Sequence, residues 1–247
     1  MDRNNIDLDH RIILALDVHD GKLAKTLVDQ LKKEIHFFKV GLQLFLAEGF
    51  PIVKWITGRG CKVMLDLKFY DIPKTVELAC KQLNNKNITF ATVHGHKDIL
   101  EASVTGARDY SILAVTVLTS LGNEELKEMD SPMNVEDLVE RRALWAKKAG
   151  CQGVVCSPVE AARVRKAVGQ KMFIVTPGIR PATHADPMDD QKRIQTPAKA
   201  IEAGADFLVI GRPITQSSDP LKTVLTIKSE IKDALKKSER RPSTSNR

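Results

Sequence analysis

Residues 65–73 read Leu-Asp-Leu-Lys-Phe-Tyr-Asp-Ile-Pro, and three charges, Asp66, Lys68 and Asp71, interrupt an otherwise apolar run. Lys62-Val63-Met64-Leu65 leads into it and Pro73 closes it. Side chains alternate faces along a strand, so a strand over 63–69 puts Asp66 and Lys68 on one side, roughly 6–7 Å apart. Val63, Leu65, Leu67 and Phe69 take the other side. Burying a carboxylate and an ammonium costs several kcal/mol per ion unless they are paired. With Lys39, these residues make a set of alternating charge. A structural salt-bridge network is the plain reading of such a set, and on a surface helix it would be preferred. On strands that face inward, the desolvation cost argues for chemistry instead. Interleaved signs keep each group ionised, and fixed charge in place before a substrate arrives is what electrostatic preorganisation requires.

Two further constellations pair glycine with arginine: Thr176-Pro177-Gly178-Ile179-Arg180 and Ile210-Gly211-Arg212-Pro213. Glycine lets backbone N–H groups approach a phosphate closely, and arginine forks onto its oxygens. The residues from Arg180 to Gln195 form a long polar stretch that reads as a linker or as a ligand-gated lid. His94 and His96 invite a metal, but no Cys or acidic partner stands at tight ligand spacing, so zinc is the weaker reading. Cys156 lacks an identifiable histidine base and reads as a small buried residue.

Eight strand-like runs must position these groups: Ile12–Leu16, Phe37–Val40, Val63–Phe69, Ile88–Val93, Ile112–Leu118, Gly153–Cys156, Phe173–Thr176 and Phe207–Ile210. Helix-like stretches follow them, among them 22–34, 75–84, 135–149, 159–168 and 197–203. The first five runs start about 25 residues apart, the period of one strand–helix unit. Several runs are apolar on both faces, as buried parallel strands are. Eight units in about 240 residues predict an α/β fold, a single-domain (β/α)8 TIM barrel, with an open doubly wound sheet as the alternative. Residues 1–10 read as an N-terminal extension, 11–237 as the barrel and 238–247 as a disordered basic tail. The polar residues Asp17, Lys39, Asp66, Lys68, His94, Thr116, Thr119 and Ser157 gather at the C-terminal ends of the runs. In such barrels that rim is the active-site face, and the loops after strands seven and eight often bind phosphate.

The chain has 247 residues, of which 43% are hydrophobic and 28% charged, with net charge +7. That surplus raises the question of nucleic acid. The lysines are spread along helix-like segments, and aromatic residues, at 5%, offer few stacking platforms. A small anionic ligand accounts for the charge with fewer assumptions. The first ten residues lack the apolar region of a signal peptide and no run is long enough to span a bilayer, so no membrane partner is expected. Four cysteines without a Cys-x-x-Cys pair fit reduced thiols in the cytoplasm.

Across nearly its whole length, from Ala15-Leu16-Asp17 to Thr215-Gln216, the chain closely resembles orotidine 5′-phosphate decarboxylases. The fingerprint Asp66-x-Lys68-x-x-Asp71-Ile72-Pro73-x-Thr75 is joined by Val175-Thr176-Pro177-Gly178-Ile179-Arg180, Asp190-Gln191 and Ile210-Gly211-Arg212-Pro213-Ile214-Thr215-Gln216. The resemblance implies decarboxylation of orotidine 5′-phosphate (OMP) to uridine 5′-phosphate (UMP), with no metal or organic cofactor. Lys68 would protonate C6 of the pyrimidine, and Lys39, Asp66 and Asp71 would complete the charged network. Asp71 and Thr75 would reach the site of a neighbouring subunit, making a homodimer with shared sites. Asp17 and Lys39 would hold the ribose hydroxyls, and Thr119 would sit against the base. Gln191 would bridge base and phosphate, while Arg212 and the Gly211 backbone would hold the phosphate. Arg180 occupies a further binding position.

The nearest rival is a magnesium-dependent barrel of the hexulose-phosphate synthase or ketogulonate-phosphate decarboxylase kind, which shares the Asp-x-Lys-x-x-Asp pattern. Those enzymes are similar in the third strand but use a glutamate where Lys39 stands here. A charged lysine cannot ligate Mg²⁺.

Overall fold

Short runs rich in Ile, Val, Leu and Phe, bounded by polar turns, form eight strands in the computed structural model, which describes residues 3–181 and 193–239. They are β1 (Ile12–Ala15), β2 (Phe37–Gly41), β3 (Lys62–Phe69), β4 (Phe90–His94), β5 (Ser111–Val115), β6 (Gly153–Val155), β7 (Phe173–Thr176) and β8 (Phe207–Ile210). Each is parallel to its sequence neighbour, and β8 closes onto β1 through the register Ile13↔Val209. The result is the expected single-domain TIM barrel, with helices between the strands; the open sheet is excluded.

Alternation along the strands divides the core in two. Outward residues such as Leu14, Phe38, Val40, Leu65, Ala91 and Ile174 pack against the helices. Inward residues fill the barrel, and four phenylalanines, Phe37, Phe90, Phe173 and Phe207, pack with ring centroids 5.2–5.8 Å apart. Their bulk explains Gly153: a Cβ there would stand 2.8 Å from Phe173 and from Leu113. Below this layer Ile6, within the segment set apart above as an extension, is buried against the same inner cluster. Arg3 ion-pairs with Asp206 at 2.7 Å nearby. The inner core is thus apolar at the N-terminal end of the strands and changes to Lys39, Asp66 and Thr92 further up.

Most boundaries fall within a residue or two of expectation, and helix Val135–Ala149 matches at both ends. β5 is shorter than expected. It stops at Val115, and the chain then bends into a turn, where the Leu121 N–H donates to the Leu118 carbonyl at 3.0 Å. The last helix, Pro220–Glu239, runs two residues into the expected tail; residues 240–247 lie outside the described residues.

Candidate active site

The C-terminal ends of the strands open into a cleft of about 760 Å³. Asp17, Lys39, Asp66, Lys68, Thr119, Arg180, Gly211 and Arg212 all line it. Eight of the eleven residues singled out by sequence thus meet in one place.

The charges form a chain rather than a cluster. Lys39 Nζ donates to Asp17 Oδ1 at 2.6 Å and lies 3.4 Å from Asp66 Oδ2. Lys68 Nζ donates to the same Asp66 oxygen at 2.9 Å. The other oxygen, Oδ1, accepts from the Thr92 hydroxyl at 2.8 Å. Burial pushes the Asp66 carboxyl up, but Lys39 and Lys68 outweigh it and hold the group below the usual carboxylate range. At Lys39 burial favours the neutral amine, yet Asp66 and Asp17 prevail and raise its pKa. Both groups are therefore charged at neutral pH, and the desolvation cost is met by pairing. Gly41 makes room for this contact: a Cβ there would approach Asp17 Oδ1 to 2.9 Å and Lys39 Nζ to 3.1 Å.

Lys68 is set in place by its backbone. Its φ is +48°, the left-handed region that costs an L-residue about 1–2 kcal/mol. The pairing of β3 with β4 slips here, from Leu65↔Ala91 to Phe69↔Val93, leaving extra residues in β3. Such a bulge re-aims side chains. The Lys68 N–H then donates to Thr92 Oγ1 at 3.0 Å instead of to the sheet. Thr92 thus fixes both halves of the pair, the Lys68 backbone and the Asp66 carboxylate. Sequence reasoning missed it, although a threonine in the run Phe-Ala-Thr-Val-His was the available signal.

Three residues do not join the group. Asp71 is exposed, and its carboxylate accepts from the Ile72 N–H at 2.6 Å. Thr75 is exposed on helix Pro73–Leu83. Gln191 lies outside the described residues, as does the lid expected over most of 181–195. The flanks of that stretch are joined: Arg180 N–H donates to the Gln195 carbonyl at 2.9 Å, and Gln195 N–H to the Gly178 carbonyl at 3.2 Å. Gly178 itself has φ +78°, a turn conformation that suits glycine. Arg180 is buried, with Nη1 on the Ile179 carbonyl at 2.9 Å.

Among the described residues no group of three or more His, Cys, Asp or Glu converges as metal ligands would. His94 and His96 instead pack around the Tyr70 ring at centroid distances of 5.0 and 5.8 Å. Burial, then Arg142 and Lys68, hold His94 below its ordinary pKa. Cys156 is buried and its thiol pKa is pushed up, as fits a packing role. No helix among the described residues is long and apolar enough to cross a membrane.

An array of this kind can hold an anionic ligand by its arginines, with the charged chain Asp17–Lys39–Asp66–Lys68 lining the same cleft. Comparison with known proteins bears on which ligand. Residues 10–227 match the Orotidine 5'-phosphate decarboxylase / HUMPS family. The chain is 42% identical over 224 residues to the orotidine 5'-phosphate decarboxylase of Methylococcus capsulatus, covering 90% of this chain and 92% of that protein. It is 45% identical over 223 residues to that of Rhodopseudomonas palustris, covering 90% and 93%. Among solved structures, the orotidine 5'-phosphate decarboxylase from Lactobacillus acidophilus superposes with a TM-score of 0.78 at 34% identity, over 90% of this chain and 99% of that one.

Proposed function

The chain belongs to the Orotidine 5'-phosphate decarboxylase / HUMPS family, and from that premise we propose that it decarboxylates OMP to UMP and CO₂, the last step of UMP biosynthesis, in the cytoplasm and without metal or organic cofactor. The observation that carries this reading is the Lys68 ammonium, 2.9 Å from Asp66 and set in a cleft that Arg180 and Arg212 also line.

The chemistry needs such a group. When CO₂ leaves C6 the bonding pair stays in the ring plane, where no carbonyl can delocalise it. Other decarboxylases recruit a cofactor as electron sink. Here the charge is met by Lys68, held in place before the reaction, and the same ammonium then transfers its proton to C6. Fixed cations in a water-poor site act strongly and need no reorganisation. Asp66, kept ionised by its two lysines, stands near the substrate carboxylate and orients Lys68. Asp17 and Lys39 hold the ribose hydroxyls and Thr119 meets the base. Arg212 and the Gly211 backbone take the phosphate, Gln191 bridges phosphate and base, and Arg180 adds a further contact at that end. Binding energy from the phosphate, far from C6, contributes to positioning the reacting ring.

Asp71 and Thr75 serve the site of a second copy in a homodimer. Their exposure in the single chain supports this, as does the company of Tyr70 and Ile72, large apolar side chains 63% and 67% exposed beside Asp71. The magnesium-dependent rival is disfavoured because Lys39 is tied to two carboxylates, Asp17 and Asp66, in the place where that enzyme needs an anionic ligand. The test is the absorbance change on mixing protein with OMP in excess chelator. Turnover to UMP is expected. Activity that vanishes with chelator and returns with Mg²⁺ would refute the cofactor-free reading.

A further inference from the structure

The turn that carries Thr119 is held from outside the cleft. Leu118 to Leu121 form it, and its central residues Thr119 and Ser120 line the cleft. The Leu118 carbonyl accepts from the Leu121 N–H at 3.0 Å and also from Arg193 Nη2 at 2.9 Å. Arg193 Nη1 donates to Glu160, and the Ser157 hydroxyl donates to the Arg193 carbonyl at 2.9 Å. On the other side Arg142 Nη1 donates to the Thr116 carbonyl at 2.5 Å. One guanidinium therefore ties the loop after β5 to the loop after β6, from a position on the segment that follows β7.

Glu160 is 3% exposed and the Arg193 side chain 13%. A buried ion pair of this kind can often be exchanged for apolar residues without loss of stability. Stability is thus a weak reason for its presence. What apolar residues cannot do is hold one carbonyl at one point, and the planar fork of arginine, with one nitrogen on Glu160 and the other on Leu118, can.

We propose that Arg193 is a positioning residue. Clamped by Glu160, it fixes the Leu118 carbonyl and so sets the depth at which the Thr119–Ser120 turn meets the pyrimidine base. This rests on the OMP reading and extends it to a residue that does not touch substrate. The role predicts a split between the two ends of the ligand: losing Arg193 weakens contact with the base but leaves the phosphate end, at Arg212, unaffected.

The experiment compares binding of UMP and of inorganic phosphate to wild type, Arg193→Met and Arg193→Lys. A hydrogen bond to the base is worth about tenfold in affinity, so loosening the one or two that this turn supplies should make Arg193→Met bind UMP about ten- to a hundredfold more weakly. Its phosphate affinity should stay within about twofold. Lysine can reach Glu160 or Leu118 but not both, so Arg193→Lys should fall between. It carries the same comparison if the methionine variant does not fold. Unchanged UMP affinity, or equal losses for UMP and phosphate, would overturn the positioning role. Wild type that fails to bind UMP would instead overturn the substrate reading, and this proposal with it.

Discussion

Lys39→Met removes one charge from the middle of the buried chain while keeping most of the side chain's length. Lys39 serves two carboxylates unequally. Asp17 is 58% exposed, so that pairing is screened and contributes about 0–1 kcal/mol. Asp66 is only 8% exposed, and stranding a buried charge costs about 3–5 kcal/mol. Lys68 remains beside Asp66, which favours the lower end, about 3 kcal/mol. For a chain of this size that is a fall in Tm of about 6–12 °C. The pH dependence has a definite sign. The Asp66 carboxyl is lowered in the folded state, so its contribution is present above the unfolded carboxylate pKa near ~4 and is lost as pH falls through the folded value. The Lys39 pKa is raised, so its contribution is present below about 10.4 and is lost as pH rises through the folded value. In the variant, protonating Asp66 relieves the stranded charge, so the gap between wild type and variant is widest near pH 7 and narrows toward pH 4. Urea unfolding of both proteins at the two pH values measures it. A gap below about 1 kcal/mol at pH 7, or one that does not change with pH, would refute the claim that Lys39 and Asp66 sustain each other's charge.

Two other outcomes can be checked. In the proposed homodimer with shared sites, mixing inactive Lys68→Ala chains with inactive Asp71→Ala chains should restore part of the activity, since a hybrid would hold one intact site; no recovery after confirmed subunit exchange would exclude a site shared between subunits. Lys68→Gly should be more stable than Lys68→Ala by about 0.5–1 kcal/mol, because relief of the left-handed φ outweighs the greater chain entropy of glycine; a more stable alanine variant in urea unfolding would mean that the backbone there is unstrained.

The barrel was legible because parallel strands buried on both faces announce themselves as apolar runs, and their regular spacing leaves few topologies. The charged lining of the cleft was legible for the same reason: a charge inside such a run, as at Lys39 or Asp66, has no cheap structural explanation. What escaped notice was polar residues whose role is to hold others. Thr92 carries no charge; its place in an apolar run marks it as a polar group on a strand, but only the pairing of β3 with β4 brings it to both Asp66 and the Lys68 backbone. Residues Leu42–Thr57 form two helical segments that meet at a kink at Gly49, φ +60°, with Pro51 just beyond it, and these breaking signals hid both segments. The bulge in β3 depends on its register with β4, which pairing across the sheet decides and local sequence does not. Glu160 and Arg193 stand 33 residues apart and meet only once three loops have folded together.

Lys68, aimed by the β3 bulge and paired with Asp66, is the proposed donor of the proton to C6. Turnover of OMP by Lys68→Ala, measured with UMP affinity as a control for an intact cleft, addresses this role most directly. A loss in kcat of about 10³-fold or more is expected, with UMP binding retained within about threefold. A variant that binds UMP normally and turns over OMP near the wild-type rate would contradict it.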